Sequence, residues 1–444
     1  MFVPAGGRTF ALAFGYGRSL MVLETLEDGF GLRVTLNTVP EGGIRTISKK
    51  SLDSFAHHTL TQAMRTGRLR EFGVDLEQDL LQAVTGTPAD PAMGVRIMGR
   101  DALGVLTKAA LPELPALFER YLGEFKSNAY QKKYPDIDQM VEEQSPAVLA
   151  ELERILLQKI VDREFERLWL AVPEIIDWSA IEGFRYTEHG DELYEDLHVT
   201  GFLAHVRDPG SLTIDRLKQR RAFAIDGSSG VASLEWSIFR CVHFETERGG
   251  DNYVLSSGKW FRLKRDFVAA VDHFVVPLLA PSSLPAANSK EDEAQYNARA
   301  AGALPDCALM DRAVVSHGGG HSKIEFCDLF TKGKQMVHVK KYAGSGVLSH
   351  LFAQGANAAE MLLFDGGFRQ KVRAGLPSSY RDLVGLTPPR ASDFEVAYGI
   401  IGRPMGTKSL AEVLPFFSRV TLRRVAQRLQ GAGFKVSVAW IPNR

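Results

Sequence analysis

Cysteine is scarce and scattered in this chain. The 444 residues contain three cysteines, Cys241, Cys307 and Cys327, and no two of them form a CxxC or CxxH pair. Small disulfide-stapled domains and structural zinc modules both need closely spaced cysteines. The sequence therefore argues against a disulfide framework and a zinc finger. It suits a reducing compartment, and we expect a cytoplasmic location.

Long apolar runs and a net charge are also missing. The longest apolar stretches, such as residues 274–280, fall far short of the roughly 20 residues that span a bilayer. The first residues lack the basic start and apolar run of a signal peptide, so we expect no membrane association. Lysine plus arginine and aspartate plus glutamate each number 53, which makes the formal net charge zero. Any nucleic-acid site must therefore be a local basic patch.

The remaining composition is that of a globular protein of more than one domain. Hydrophobic residues make up 45% and charged residues 24%, which argues against wholesale disorder. The length exceeds one typical core, and residues 280–289, rich in Pro, Ser and Ala, give the clearest linker pattern. We expect an N-terminal α/β region (1–140), a middle region of one helix plus strands (141–280) and a C-terminal domain (281–444).

Helix and strand patterns alternate before this linker, so the fold class is predicted as mixed α/β. Residues 9–14 and 31–36 lie between glycine-rich and Asp-Gly turns and predict strands. Apolar residues at helical spacing predict a helix over 145–169. A Ser-Gly turn within 253–261 predicts a hairpin, and a helix is expected over 266–279.

The C-terminal region shows an informative order of elements. A helix at 291–300 has acids in its first turn, where they complement the helix dipole. The elements that follow are predicted as a strand (307–315), a flexible Ser-His-Gly-Gly-Gly-His loop (316–321), a strand (323–330), a Thr-Lys-Gly turn (331–333), a strand (334–342), a helix (347–364) and a strand (394–401). This order resembles the PD-(D/E)xK nuclease superfamily. The resemblance implies a restriction-endonuclease-like α-β-β-β-α-β core in a mixed α+β chain.

The side chains match that superfamily in part. Its members place an Asp on the second core strand, an acid-x-Lys triplet on the third and often a Glu on the first helix. Asp328 lies on the second strand here, His338-Val339-Lys340 on the third, and Glu293 or Glu291 could supply the helix acid. Carboxylates hold a hard divalent ion that polarises the phosphodiester and activates water. The lysine orients or deprotonates that water and counters the charge developing on phosphorus.

The resemblance thus implies two overlapping sets of site residues. The implied catalytic residues are Asp328, Lys340, His338 and Glu293, and the implied ligands of Mg²⁺ or Mn²⁺ are Asp328, Glu293, His338 and Glu291. His338 departs from the pattern, because glutamate would be usual there. Imidazole prefers softer ions than magnesium, so this position suggests manganese, a weak site or lost catalysis.

The turn before Lys334 decides which residues face the site. A three-residue hairpin loop with Gly333 in the left-handed position would pair Phe330 with Lys334. That register sets Asp328 opposite Met336, on the face of His338 and Lys340. A two-residue or four-residue loop would place Glu325 and Cys327 there instead.

Six short phrases carry a second resemblance. They occupy residues 14–18, 30–34, 253–256, 324–329, 338–342 and 348–355. In this order they resemble a sporadically distributed bacterial family of unassigned function, over most of the chain. The patchy distribution of that family suggests a role in defence against phage or plasmids.

Basic residues cluster at two places, and solvated surface is the alternative reading of each cluster. The predicted phosphate contacts are Lys332, Lys334 and Lys341 on the hairpin and Arg419, Arg423 and Arg424 on a C-terminal helix. We therefore expect a metal-dependent endonuclease acting on nucleic acid, with DNA the expected substrate, in antiphage or mobile-element defence. The alternatives are an inactive nuclease-like module that binds nucleic acid or a protein partner, and an interaction scaffold. A homo-oligomer or a defence-system partner protein stays open.

Overall fold

The structure is a computed structural model of the chain. It describes all residues except 15–25, 28, 52–56, 77–78, 136, 175, 177, 191, 311–313, 318–321 and 343. Most of the phrase at 14–18 and of the loop at 316–321 therefore lies outside the described residues. Helices and strands alternate over several sheets, which confirms the mixed α/β class. No helix among the described residues is long and apolar enough to cross a membrane.

The chain divides into two compact units. The first contains the described residues of 1–52, 56–141 and 174–176, and the second those of 142–173 and 177–444. The elements of the first unit are β1 (Phe2–Ala5), β2 (Arg8–Ala11), α1 (Phe30–Thr38), β3 (Ile44–Ser51), β4 (His57–Gly67), β5 (Asp79–Gly86), β6 (Arg96–Gly99), β7 (Leu103–Leu106), α2 (Leu114–Lys126) and α3 (Tyr130–Lys133). Strands β1 and β2 pair as a hairpin, and an antiparallel sheet has the order β4-β3-β5-β6-β7. Strand β8 (Met140–Glu142) follows where the units meet in sequence.

The predicted strand at 31–36 is wrong, because these residues lie within helix α1. The β-branched pair Val34 and Thr35 favours a strand locally. Both residues are fully buried, and α1 packs against α2 and β6. A Cβ atom at Gly31 would lie 2.1 Å from the Ala102 carbonyl oxygen. Close packing of the helix, which this glycine permits, outweighs the local strand preference.

The second unit begins with two antiparallel sheets and their flanking helices. Its elements up to residue 275 are α4 (Pro146–Val161), β9 (Leu168–Leu170), β10 (Ile181–Arg185), α5 (Val199–Ala204), α6 (Ile214–Gln219), β11 (Arg221–Asp226), β12 (Ala232–Ser237), α7 (Ile238–Cys241), β13 (Val242–Arg248), β14 (Asp251–Ser256), β15 (Lys259–Leu263) and α8 (Arg265–Val275). One sheet has the order β10-β11-β12, and strands β15, β14, β13 and β9 are neighbours in the other.

Three predictions in this part can be compared with the structure. The hairpin is confirmed: Ser256 pairs with Lys259, and the turn residues Ser257 and Gly258 have φ values of 53° and 81°. The helix predicted at 266–279 is observed as α8, which ends at Val275 and continues as a 3-10 turn over Val276–Leu278. The helix predicted over 145–169 ends earlier, at Val161, and its last predicted residues belong to β9.

The C-terminal part of the second unit contains a five-stranded sheet and the helices around it. Its elements are α9 (Glu293–Ala303), β16 (Cys307–Leu309), β17 (Val314–His317), β18 (Ser322–Glu325), β19 (Leu329–Thr331), β20 (Gln335–Lys341), α10 (Ser345–Phe364), α11 (Gly366–Gly375), β21 (Glu395–Gly402), α12 (Leu410–Val413), α13 (Phe416–Gly431) and β22 (Lys435–Pro442). The strand order is β16-β19-β20-β21-β22. Strands β16, β19 and β20 are antiparallel neighbours, whereas β20, β21 and β22 run parallel.

Two predicted strands are each broken in the structure. The segment 307–315 contributes β16 to the five-stranded sheet, and its end belongs to β17. The segment 323–330 contains most of β18 and the start of β19. Among the described residues, strands β17 and β18 pair with each other as a separate hairpin. Strand β19 is consequently short, which matters for the site.

The proline-rich segment at 280–289 is hydrogen-bonded to the last strand. The backbone N–H of Ala280 donates to Val438 at 3.0 Å, and that of Ala287 donates to Pro442 at 2.9 Å. Ala287 is completely buried. The segment therefore belongs to the fold of the second unit, which also contains most of the predicted regions 141–280 and 281–444.

The five-stranded sheet has helices on both faces. Val337 and Val339 of β20 pack with Tyr296 and Ala300 of α9 in one buried cluster. Helices α10 and α13 connect the three parallel strands and contact each other, and right-handed crossovers place both on the opposite face. The edge of β20 near α9 carries the candidate site.

Candidate active site at the edge of strand β20

Strand β19 is too short to cover the whole edge of β20. Its register pairs Leu329 with Val337 and Phe330 with Met336. Further along the same edge, side-chain carboxylates accept the backbone N–H groups. The N–H of Val339 donates to Asp328 Oδ2 at 2.6 Å, and that of Lys341 donates to Glu293 Oε1 at 3.0 Å. A strand rises about 3.3 Å per residue, so the two backbone N–H groups bound by these carboxylates lie about 7 Å apart along this edge.

Lys340 is the cation of this arrangement. Its ammonium lies 2.7 Å from Glu293 Oε2, and the two side chains are 29% and 33% exposed. Strand alternation places Lys340 on the face of His338, but its long side chain reaches the glutamate at the edge. Glu293 thus contacts both the Lys340 ammonium and the Lys341 backbone N–H. The side chains of Glu293 and Lys340 remain partly exposed to solvent.

Glu291 is held by a different partner. Its carboxylate oxygens accept hydrogen bonds from the Arg299 guanidinium at 2.5 and 3.0 Å. These bonds, with the backbone N–H of Asn288, lower the pKa of Glu291 to about 2. The Lys341 ammonium donates to the backbone carbonyl of Glu291. Glu291 therefore stabilises the segment before α9. Its carboxylate binds Arg299 and does not share the partners of Glu293.

The predicted hairpin register is wrong by two residues. Phe330 pairs with Met336 instead of Lys334, and the left-handed residue is Lys334, with φ of 61°. The loop is still three residues long, but it begins one residue later than predicted. The backbone N–H of Asp328 donates to Val337 at 2.9 Å. Asp328 is therefore held to β20 by its backbone at Val337 and by its side chain at Val339, the neighbour of Lys340.

His338 lies in the protein core. It is 2% exposed, and its ring centroid is 6.4 Å from that of Tyr398, whose hydroxyl donates to the Phe352 carbonyl of α10 at 3.0 Å. Burial lowers the pKa of His338 to about 4, so the imidazole is neutral near pH 7. Its Nε2 atom has no hydrogen-bond partner among the described residues. These surroundings are those of a core residue and do not support the predicted role as metal ligand.

The acids and histidines do not form a complete metal shell. Within the described part of the chain, no group of three or more His, Cys, Asp or Glu side chains is placed to hold a metal ion. The predicted four-residue ligand set is thus not assembled. Glu293 and Asp328 remain, as two carboxylates on one strand edge. Magnesium sites often use only one or two carboxylates, with waters and substrate phosphate completing the shell.

The comparisons with other proteins give a family and no activity. The model of a family of unknown function, DUF6119, matches residues 1–442. The chain belongs to this family. No curated protein and no solved structure matches it. The expectation of a family of unassigned function is confirmed.

The predicted basic contacts of the hairpin are divided along β20. Lys332 pairs with Asp306 at 3.1 Å and Lys334 with Asp393 at 3.2 Å, both beside the turn. Lys341 lies at the other end of the strand. With six residue steps from residue 335 to residue 341, the two ends are about 20 Å apart. Lys341 therefore adjoins the carboxylates, while Lys332 and Lys334 are remote from them.

The predicted basic contacts of the C-terminal helix differ in exposure. Arg419 is 2% exposed and forms an ion pair with Asp272, so its guanidinium lies inside the fold instead of on a surface that nucleic acid could contact. Arg423 is partly buried and Arg424 is exposed. All three lie on α13, across the sheet from α9. They do not form one patch with the Glu293 site.

One buried polar residue on α9, the helix that carries Glu293, was not identified from the sequence. Asn297 lies four residues after Glu293 on α9, is 1% exposed, and its Oδ1 atom has no hydrogen-bond donor among the described residues. Residues four apart share a helix face, so the spacing from Glu293 was the signal that could have identified it.

Proposed function

We propose that the C-terminal part of the second unit is a metal-dependent endonuclease acting on DNA, with Glu293, Asp328 and Lys340 as its active residues. The observation that carries this proposal is their meeting at the edge of β20, where two carboxylates follow the strand and one of them pairs with the lysine. The order of helix α9, antiparallel strands β16, β19 and β20, helix α10 and parallel strand β21 supports the same proposal. It is the order that the resemblance to PD-(D/E)xK nucleases implies.

The carboxylate pair fits a hard divalent ion. Carboxylate oxygens are preferred ligands of magnesium and manganese, and the nucleic-acid phosphate would supply further oxygens. When bound, such an ion polarises the phosphodiester and lowers the pKa of a coordinated water. Glu293 and Asp328 would hold it. His338 has no place in this arrangement, because its imidazole lies in the core.

Lys340 would supply the positive charge that the reaction needs. Its hydrogen bond to Glu293 fixes the direction of a flexible side chain. An ammonium at this position can orient the attacking water and stabilise the charge that develops on the phosphoryl oxygens. Lys341, which adjoins it, would contact a neighbouring phosphate.

The test is a cleavage assay with end-labelled DNA and RNA, single-stranded and double-stranded, in Mg²⁺ and in Mn²⁺. Asp328→Asn and Glu293→Gln should each abolish cleavage, because each removes one negative charge from the metal ligands while keeping the side-chain shape. Lys332→Ala, at the remote end of the hairpin, is the matched control and should cleave like the wild type. Cleavage that survives both acid substitutions would refute the site.

A second function is favoured by one specific observation. A buried neutral histidine stands where the nuclease pattern has an acid, so the fold would serve to bind nucleic acid without cutting it. In that case the wild type binds DNA in a salt-dependent manner and no metal produces cleavage. A role in antiphage or mobile-element defence belongs to either version, and rests on the patchy distribution of the family that the sequence resembles.

A further inference from the structure

Asn297 is a buried polar residue on α9, four positions after the proposed ligand Glu293. The nuclease proposal gives it no role. It is 1% exposed, and its side-chain Oδ1 finds no donor in the described part of the protein. Buried polar atoms in folded proteins are nearly always paired with protein, water or an ion. An amide oxygen without a donor among the described residues is available to bind a ligand from outside the chain.

Asn297 lies on the same side of its helix as the carboxylate of Glu293. It lies one helical turn after Glu293, so both side chains project from one face of α9. Its neighbour Tyr296 occupies the adjoining flank, where the tyrosine hydroxyl donates to the Pro285 carbonyl at 2.9 Å. Just beyond Pro285, Ala287 bridges to Asn443 after β22.

Helix α9 packs against strands β16 and β20. Successive helix residues are about 100° apart, so Asn297 points away from the Tyr296 side. Ala301, one turn after Asn297, and Cys307 of β16 both pack against the same core cluster as Leu329 of β19. Asp328 immediately precedes Leu329. Asn297, buried one turn after Glu293, therefore lies on the face of α9 that packs against these strands.

We propose that Asn297 Oδ1 is the third oxygen ligand of a divalent-cation site completed by Glu293 and Asp328. This inference rests on the proposed function and adds a ligand that the nuclease resemblance does not supply. An amide oxygen is a hard ligand suited to Mg²⁺, Mn²⁺ or Ca²⁺. It would complete a protein-derived set of three oxygens where the described acids and histidines do not, without adding a third negative charge.

The test measures Mn²⁺ binding to the full-length protein directly, by calorimetry and by the electron paramagnetic resonance of free Mn²⁺, without nucleic acid. Asn297→Ala should weaken Mn²⁺ binding by about ten-fold or more. Asn297→Asp should tighten it, because a charged oxygen replaces a neutral one. Asn357→Ala, which changes an exposed asparagine on α10, is the matched control and should bind like the wild type.

The outcomes separate this inference from the function on which it rests. If Glu293→Gln loses Mn²⁺ binding while Asn297→Ala keeps wild-type affinity, Asn297 is not a ligand and the carboxylate site stands. If the wild type binds no Mn²⁺, both the ligand assignment and the metal-dependent function are overturned. Should Asn297→Ala fail to fold, Asn297→Asp decides: affinity that is unchanged or weaker contradicts the assignment.

Discussion

The ammonium of Lys340 lies 2.7 Å from the carboxylate of Glu293, although 47 residues separate them in sequence. Helix α9 and strand β20 bring them together at an edge that β19 leaves uncovered. The same glutamate accepts the Lys341 backbone N–H. The pair therefore joins a helix acid to a strand lysine at the position where the proposed chemistry needs both charges.

The Glu293–Lys340 pair should contribute little to stability. Both side chains are about one-third exposed, and ion pairs open to solvent typically contribute 0–1 kcal/mol. In Glu293→Gln the amide oxygen can still accept the Lys341 N–H. We expect the free energy of unfolding, measured in urea, to fall by about 0.5 kcal/mol or less. A much larger loss would show that the pair is structural and would weaken the functional interpretation.

His338 should make the protein less stable in mild acid. Burial lowers its folded-state pKa to about 4, below the ordinary value of about 6.5. The unfolded chain takes up the proton first, so stability is complete above that ordinary pKa and falls as the pH drops towards the folded value. The loss approaches about 3 kcal/mol at most.

Urea titrations across this pH range measure the effect. The slope should flatten in His338→Phe, which keeps a ring beside Tyr398. His350→Ala, an exposed histidine on α10, should keep the wild-type slope. An unchanged slope in His338→Phe would contradict the buried, neutral imidazole.

Glu245 should make the protein less stable as the pH rises, which is the opposite of the effect of His338. It is 4% exposed on β13, and burial raises its pKa, opposed by Arg167, the Phe416 and Phe417 backbone N–H groups and Arg419. A raised carboxyl pKa makes the folded state lose stability as the pH rises through that value.

Substitution to glutamine isolates this carboxyl. Glu245→Gln keeps an oxygen to accept the Phe416 N–H, and should gain stability relative to the wild type as the pH increases from about 4.5. Glu247→Gln, exposed two residues further along the strand, should show no such trend. A stability difference between Glu245→Gln and the wild type that does not vary with pH would mean that Glu245 does not titrate in this way.

Arg419 should affect folding and Arg424 should not. Arg419 is buried and paired with Asp272, so Arg419→Ala leaves a carboxylate without its main partner and should cost about 2–3 kcal/mol. Arg424 is exposed on the same helix, and Arg424→Ala should stay within about 0.5 kcal/mol of the wild type. Thermal or urea unfolding of the two variants gives the comparison. Equal effects would contradict the buried pair.

The sequence predicted the elements around the site better than their pairing. First-turn acids identified α9, and the apolar segment 394–401 identified β21. The register of β19 against β20 was missed because the left-handed residue is Lys334, a position where glycine would be the usual signal. The residue pattern along the chain does not predict that β17 and β18 pair outside the main sheet.

The site residues show the same division. The Glu293, Asp328 and Lys340 trio follows from a helix acid, a strand acid and a strand lysine at superfamily-like spacing. The burial of His338 and Arg419 could not be read from the chain, because a histidine or arginine has the same local pattern on a surface as in a core. The ion pair between Glu291 and Arg299 was not predicted either. It forms because the capped start of α9 brings these two residues, eight positions apart, into contact.

The most direct test of the account is the nicking of supercoiled plasmid in Mg²⁺ by the wild type, Lys340→Ala and Lys334→Ala. Lys340 of β20 pairs with Glu293 at 2.7 Å, and Lys334 of the preceding turn pairs with Asp393 at 3.2 Å. Of these two lysines, only Lys340 lies beside Glu293 and Asp328. The account predicts that the wild type and Lys334→Ala nick the plasmid and that Lys340→Ala does not. Nicking by Lys340→Ala at the wild-type rate, or none by the wild type, would contradict it.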